Sequence, residues 1–483
     1  MRKNFIWLKY GKLTPDKTAI LGTCVKLSYA ELAEKVESFA NYLISLGIKP
    51  GNNVGIISPN NKDFIIALLS IWKICAVAVP LNFNLLNKEI EKLLTNANVQ
   101  TTLVHKTSEV KISAEFKSNV FPFSKTDKQN QASKLPLCNE KDALILFTSG
   151  TTERPKGVIL EHNNLTASFT SINNVFNFSA NDKLLASLPF FHIGGFSVIT
   201  RALLSGTAII LPASLKTFDL AEAIKKFNPS IISLVPTMLK RLLEMGIEPN
   251  NNLRIAFIGG GPAHTGLIHS AITKGWPVVK VYGSTETSSM ITYLNYKEFQ
   301  KRPKSVGKPF PGNVLKIIDI DGNVPGTNLK GEIQVTGNSV ASGYFMNKKD
   351  SIGQFANNSF LMGDIGYLDN EGYLFLQNRK DNLIISGGEN INPLEVENVI
   401  SKIPGVAETC VIGLDDNEWG KIIVGVIVKE NNSVINGNDV KMFLRKKLPG
   451  FKIPKRIYFV DKLPKTSLGK IQTRKVYEMI SKL

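Results

Sequence analysis

The chain has 483 residues, 43% of them hydrophobic, and 37 glycines. It is too long for one hydrophobic core, and its composition excludes a fibrous or disordered protein in favour of a multidomain α/β enzyme. Net charge is +18, from 58 basic and 40 acidic residues. The lysines are spread along the whole chain without an arginine-rich block or a nucleic-acid motif, so they read as a solvated surface rather than a nucleic-acid stripe.

The opening stretch, MRKNFIWLKYGKL, has an apolar run of only four residues before Lys9, too short for a signal-peptide core. The most apolar region, FIIALLSIWKICAVAVPL, is interrupted by Lys73 and Pro80 and reads as helix then strand, not a membrane span. A cytoplasmic protein without integral membrane association is expected. Cys24, Cys75, Cys138 and Cys410 are scattered, with no ligand spacing, and are expected to be reduced thiols.

In chain order, NVGIISP, KDFIIALLSIWK and AVAVPL read as strand, helix and strand; IISLVP, MLKRLLEMG, LRIAFIGGG and PVVKVYG repeat the alternation. This pattern predicts an α/β fold with mostly parallel sheets flanked by helices, with polar loops at the strand ends where ligands bind. After about residue 300, short runs such as VLKIIDIDGNVPG and GEIQVTG, joined by Asp-Gly and Pro-Gly turns, predict a β-rich subdomain to about residue 380. A small α/β segment follows. The expected division is 1–380 and 381–483.

Five stretches carry chemistry. In LILFTSGTTERPKGVIL, a strand opens into Thr148, Ser149, Gly150, Thr151 and Thr152, placed ahead of Lys156. Small hydroxyl residues and a glycine let backbone N–H groups approach an anion, and the lysine supplies charge for a departing pyrophosphate. It is not a Walker A loop, since Pro155 and Gly157 stand at the wrong places.

FIGGGPA, with Gly260 and Gly261, leaves bare backbone against which a flat ring can lie; His264 breaks the dinucleotide fingerprint. VYGSTET offers the aromatic Tyr282, Gly283, the hydroxyls of Ser284, Thr285 and Thr287, and Glu286, an oxygen ligand suited to Mg²⁺. Asp364 can accept from ribose hydroxyls and Arg379 can reach ribose or phosphate; for Asp364 alone a turn or ion-pair role weighs more. Lys470, in LPKTSLGKIQTRK, sits after a glycine in a basic segment; alone it reads as a basic C-terminus.

In this order and at these separations, the five motifs resemble the adenylate-forming superfamily of acyl-CoA synthetases, adenylation domains and luciferases, over nearly the whole chain. The resemblance implies a carboxylate attacking the α-phosphate of ATP to give acyl-adenylate and pyrophosphate, then displacement of AMP by a thiol, usually coenzyme A. It implies that Thr148 to Thr152 and Lys156 bind phosphate, that Thr151 and Glu286 lie near Mg²⁺, and that Gly260, Gly261 and Tyr282 face adenine. Asp364 and Arg379 are implied to hold ribose, and Lys470 to stabilise charge during adenylation. Gly387, Gly388 and Glu389 belong to the thioester-forming face, and Asp381 is the implied hinge of a mobile C-terminal domain. Glu153 departs from the family's usual glycine.

LPFFHIGGFSVITRALLSG looks like the branch of the superfamily that activates o-succinylbenzoate for menaquinone biosynthesis. His192 is implied to gate the acid site. Arg201 answers the second carboxylate of a keto-diacid, unless it is a solvated helix residue, and Ser197 and Thr287 are expected to line the acid pocket. Alternatives are a medium-chain or aryl acid, an adenylation protein loading a carrier protein, and a basic nucleic-acid-binding module whose affinity would fall steeply with salt. The oligomeric state is left open.

Overall fold

The computed structural model describes residues 7, 9–108, 110, 112–113, 118–121, 140–148, 155–261, 263–379, 384–386, 389–416, 419–466 and 469–483. They divide into two compact units, one of Met1–Leu315 with Val335–Phe360 and one of Lys316–Gln334 with Leu361–Leu483.

The first unit holds two large sheets. One has nine strands, in the order Lys308–Pro309, Ser289–Asn295, Val278–Ser284, Ile255–Ile258, Ile231–Leu234, Lys183–Leu185, Ala208–Leu211, Thr18–Gly22 and Val25–Ser28. Its centre is parallel and its edges antiparallel. The other has seven strands, in the order Gly343–Tyr344, Lys156–Glu161, Asp142–Thr148, Val77–Leu81, Asn53–Ile57, Thr101–His105 and Ser118–Phe121. The expected α/β architecture is therefore present, with antiparallel edges that strand-by-strand alternation did not disclose.

Helix boundaries follow local chemistry. Ser28 caps Tyr29–Ser45: its hydroxyl accepts from Glu31 N, while the Glu31 carboxylate accepts from Ser28 N, a reciprocal capping box. Lys62–Lys73 begins at Asn61, whose side chain accepts from Phe64 N. Every residue of that helix from Phe64 to Trp72 is buried, which explains its apolar run without any membrane. Among the described residues no helix is long and apolar enough to cross a membrane.

The strands Asn313–Ile318, Gly331–Gly337, Ser359–Leu368 and Leu374–Arg379 lie in one further sheet, the expected β-rich part. The last segment packs helices on both faces of a sheet of Val406–Asp416, Gly420–Lys429 and Arg456–Phe459. Strand alternation divides its core. Val411, Ile423 and Ile427 join Val396, Ile400, Val440 and Leu444 on one face. Cys410, Ile412, Leu414, Val424 and Val426 join Val476 and Ile480 on the other.

One expectation is corrected. Cys24 and Cys410 are free, but Cys75 is disulfide-bonded. Spacing along the chain is silent about proximity in the fold, so the scattered cysteines concealed it. Cys138 lies outside the described residues.

Candidate active site

The strand Asp142–Thr148 pairs antiparallel with Lys156–Glu161, and Thr148 lies opposite Lys156. The sheet thus holds Thr148 beside Lys156, with Thr148 Oγ1 donating to Lys156 O at 3.4 Å. Ser149, Gly150, Thr151, Thr152 and Glu153 lie outside the described residues.

The Lys156 ammonium sits 4.9 Å from the centroid of the Tyr344 ring, a cation–π contact. The Tyr344 hydroxyl donates to Glu286 Oε1 at 3.1 Å and shares its proton with Gln354 Oε1 at 2.8 Å. Tyr344 is placed by a two-residue strand, Gly343–Tyr344, that pairs with Val158 and Ile159 just beyond Lys156. It escaped the sequence reading: a single tyrosine in a short strand carries no motif, and only pairing brings it beside Lys156.

Glu286 lies in a single 3₁₀ turn, Thr285–Thr287, after the strand Val278–Ser284. Its carboxylate stands outside any cluster of three His, Cys, Asp or Glu side chains, none of which occurs among the described residues. Gly260, at the end of Ile255–Ile258, has φ +77°, a conformation that side chains resist. A Cβ on Gly261 would meet only Pro236 Cδ at 4.0 Å, so this backbone is open on one side. Tyr282 and Gly283 lie near the end of the neighbouring strand, which pairs in parallel with Ile255–Ile258.

The helix Ile193–Ser205 begins after His192, whose carbonyl accepts from Phe196 N at 2.8 Å. The His192 ring packs at 4.7 Å on Phe191, and desolvation pulls its pKa down to about 4. Arg201, on this helix, is only 2% exposed and so is no solvated surface residue. Its Nη2 donates to Ser289 Oγ at 3.2 Å, its guanidinium lies 5.5 Å from the Phe257 ring centroid, and its Nε has no hydrogen-bond partner. Burial lowers its pKa to about 9. Ser197 Oγ donates to Gly194 O at 2.9 Å, and Thr287 Oγ1 accepts from Ser284 N and donates to Ser289 O, each at 2.9 Å. Both hydroxyls are therefore spent on backbone.

In the second unit, Asp364 and Arg379 are directly opposed on paired strands. Glu389 pairs with Ser386 in the short hairpin Ile384–Ser386 and Glu389–Ile391. Asp381, Gly387 and Gly388 lie outside the described residues. Lys470 is exposed at the end of a tight loop closed by Thr466 N to Lys470 O at 2.7 Å and Gly469 N to Thr466 O at 2.8 Å.

Largely parallel sheets that end in Thr148 beside Lys156, a bare glycine edge and the Glu286 carboxylate fit the class of enzymes that activate a substrate with a nucleotide. The chain belongs to the AMP-binding enzyme family: that family's pattern matches residues 9–345, and the AMP-binding enzyme C-terminal domain matches 395–470. It is 35% identical over 480 residues to 2-succinylbenzoate–CoA ligase of Listeria monocytogenes, covering 99% of both chains. Among solved structures, it resembles o-succinylbenzoate coenzyme A synthetase (MenE) from Bacillus subtilis in complex with ATP and magnesium ion. There the TM-score is 0.89, at 30% identity over 98% of this chain and 99% of that one. It also resembles ATP-bound MatB from Rhodopseudomonas palustris, with TM-score 0.91, 26% identity and 99% coverage of each.

Proposed function

We infer that this chain joins 2-succinylbenzoate to coenzyme A in two steps, using ATP. The acid's carboxylate attacks the α-phosphate of ATP, giving 2-succinylbenzoyl-adenylate and diphosphate; the thiol of coenzyme A then displaces AMP. Relatives at 34–35% identity over nearly the full length are 2-succinylbenzoate–CoA ligases, and a MenE structure is described with the acyl-adenylate OSB-AMP. The reaction belongs to menaquinone biosynthesis.

The observation that carries the acid is Arg201. A guanidinium only 2% exposed with an unpartnered Nε is costly unless an anion meets it. A second carboxylate on the substrate is such an anion, and a simple fatty or aryl acid offers none. Ser197 and Thr287 are then walls of the acid pocket rather than donors to it, and neutral His192 closes its mouth.

Thr148 to Thr152, Gly283, Thr285 and Lys156 hold the triphosphate, while Gly260, Gly261 and Tyr282 flank adenine. Asp364 and Arg379 bind ribose. Glu286 fits Mg²⁺, a hard cation that takes one or two carboxylates and keeps phosphate oxygens and water for the rest; Thr151 is its neighbour. When bound, the ion neutralises triphosphate charge. Lys470 counters charge on the carboxylate and α-phosphate. Residues 381–483 act as a mobile domain pivoting at Asp381, presenting Lys470 for the first step and Gly387, Gly388 and Glu389 for the second.

The test is diphosphate release across a panel of acids, with and without coenzyme A. Release with 2-succinylbenzoate, and thioester only when coenzyme A is added, is expected. Preference for a monocarboxylate would overturn the acid, and transfer to a carrier protein but not to coenzyme A would overturn the thiol.

A further inference from the structure

The hydroxyl that holds Arg201 comes from a backbone that resists being where it is. Ser289 has φ 112° and Ser288 φ 55°, two consecutive non-glycine residues in the region that side chains avoid. They sit where Val278–Ser284 turns back into Ser289–Asn295, with Ser284 opposite Ser289 and Gly283 opposite Met290. The register then shifts, since Tyr282 pairs with Thr292. The opposing strand has had to yield as well: a Cβ on Gly283 would lie 1.9 Å from Ser289 O.

Several hydrogen bonds hold this turn. Thr287 Oγ1 donates to Ser289 O at 2.9 Å, Ser288 Oγ to Ser339 O at 2.7 Å, and Ser168 Oγ to Ser288 O at 2.9 Å. The outcome is that Ser289 Oγ accepts from Arg201 Nη2 at 3.2 Å. Arg201 Nε, whose N–H lies along the same edge of the guanidinium as one N–H of Nη2, has no partner. That edge is the one a guanidinium offers to a carboxylate through two parallel bonds.

We propose that Ser289 is a positioning residue for substrate selection: it fixes Arg201 so that the Nε–Nη2 edge meets the distal carboxylate of a diacid. The inference rests on the reading of Arg201 given above. A strained turn is kept because a relaxed one would carry no hydroxyl to this point.

Ser289→Gly tests this, because glycine accepts φ 112° without strain while removing the hydroxyl. The melting temperature should hold or rise, while the KM for 2-succinylbenzoate rises about tenfold, the scale of one hydrogen bond to a charged group. The KM for ATP, and that for an analogue lacking the distal carboxylate, should not move. Ser289→Ala, which keeps the strain, should show the same KM pattern. A lower melting temperature with all KM values raised together would make Ser289 merely structural and overturn the proposal. Arg201→Ala, measured alongside, separates the two ideas. If it raises the diacid KM and neither Ser289 variant does, Ser289 is idle; if it leaves that KM unchanged, the reading of Arg201 fails and takes the proposal with it.

Discussion

Lys156 and Glu286 meet on opposite features of one tyrosine: the ammonium lies 4.9 Å from the Tyr344 ring centroid, and the carboxylate accepts from its hydroxyl at 3.1 Å. The cation proposed for phosphate and the carboxylate proposed for its metal thus share one neutral side chain between them. Tyr344→Phe keeps the ring beneath Lys156 but releases Glu286. The magnesium concentration giving half-maximal diphosphate release should rise about fivefold, the scale of one hydrogen bond, with little change in the KM for the acid. Titration of activity with Mg²⁺ at saturating ATP checks it. An unchanged magnesium dependence would remove Glu286 from the metal site or Tyr344 from its support.

Lys470 stands exposed on a loop tightened by Gly469, whose φ of +78° permits the turn. Lys470→Ala should slow acyl-adenylate formation by about 10²-fold or more, the loss of one preorganised charge. Thioester formation from supplied acyl-adenylate should persist, because that step needs no countercharge from this lysine. Single-turnover assays of each half-reaction decide between this role and a structural one, which would depress both alike.

The two candidate faces of the C-terminal segment, Lys470 and the 387–389 stretch, need a pivot if each is to serve its own step. Proline at Asp381 fixes φ near −65° and removes an N–H. Asp381→Pro should retain much of the adenylation rate and lose most thioester formation, with an unchanged circular dichroism spectrum. An equal, mild loss of both half-reactions would take the hinge out of the mechanism.

Two histidines make acid stability legible. The His162 ring lies among Trp7 and Trp72, its Nδ1 accepts from Trp7 Nε1 at 3.1 Å, and desolvation lowers its pKa to about 4. His192 is lowered likewise to about 4. Both are neutral in the folded chain, whereas the unfolded chain binds protons near pH 6.5. Between about pH 6.5 and 4 the unfolded state therefore carries more protons, and stability falls as pH falls. Each group should cost about 2 kcal/mol at pH 5. His162→Gln, which keeps an acceptor for Trp7, should make the melting temperature less sensitive to pH between 7 and 5. An unchanged pH slope would show that His162 does not titrate in this window.

Much of this protein is local, and local features are what a sequence states outright. Alternating strands and helices disclosed the α/β core, and Asp-Gly and Pro-Gly turns marked the β-rich part. The order of Thr148–Lys156, Gly260–Gly261, Tyr282–Glu286, Asp364–Arg379 and Lys470 disclosed the chemistry. Strands, turns and each motif are written in neighbouring residues, because strand periodicity and turn geometry are set within a few residues, while the order of the motifs is read directly along the chain.

Relations across the chain were decided only by folding. Arg201 could be read as surface or site until packing against Phe257 and Ser289 buried it. Tyr344 acquired its place when a two-residue strand paired beside Lys156, and Cys75 its disulfide from proximity that spacing does not encode. The strain at Ser288 and Ser289 was equally hidden, since serine has no preference for positive φ and only the surrounding hydrogen bonds impose it. Burial, pairing and strain are sums over distant contacts, and a linear pattern contains none of those sums.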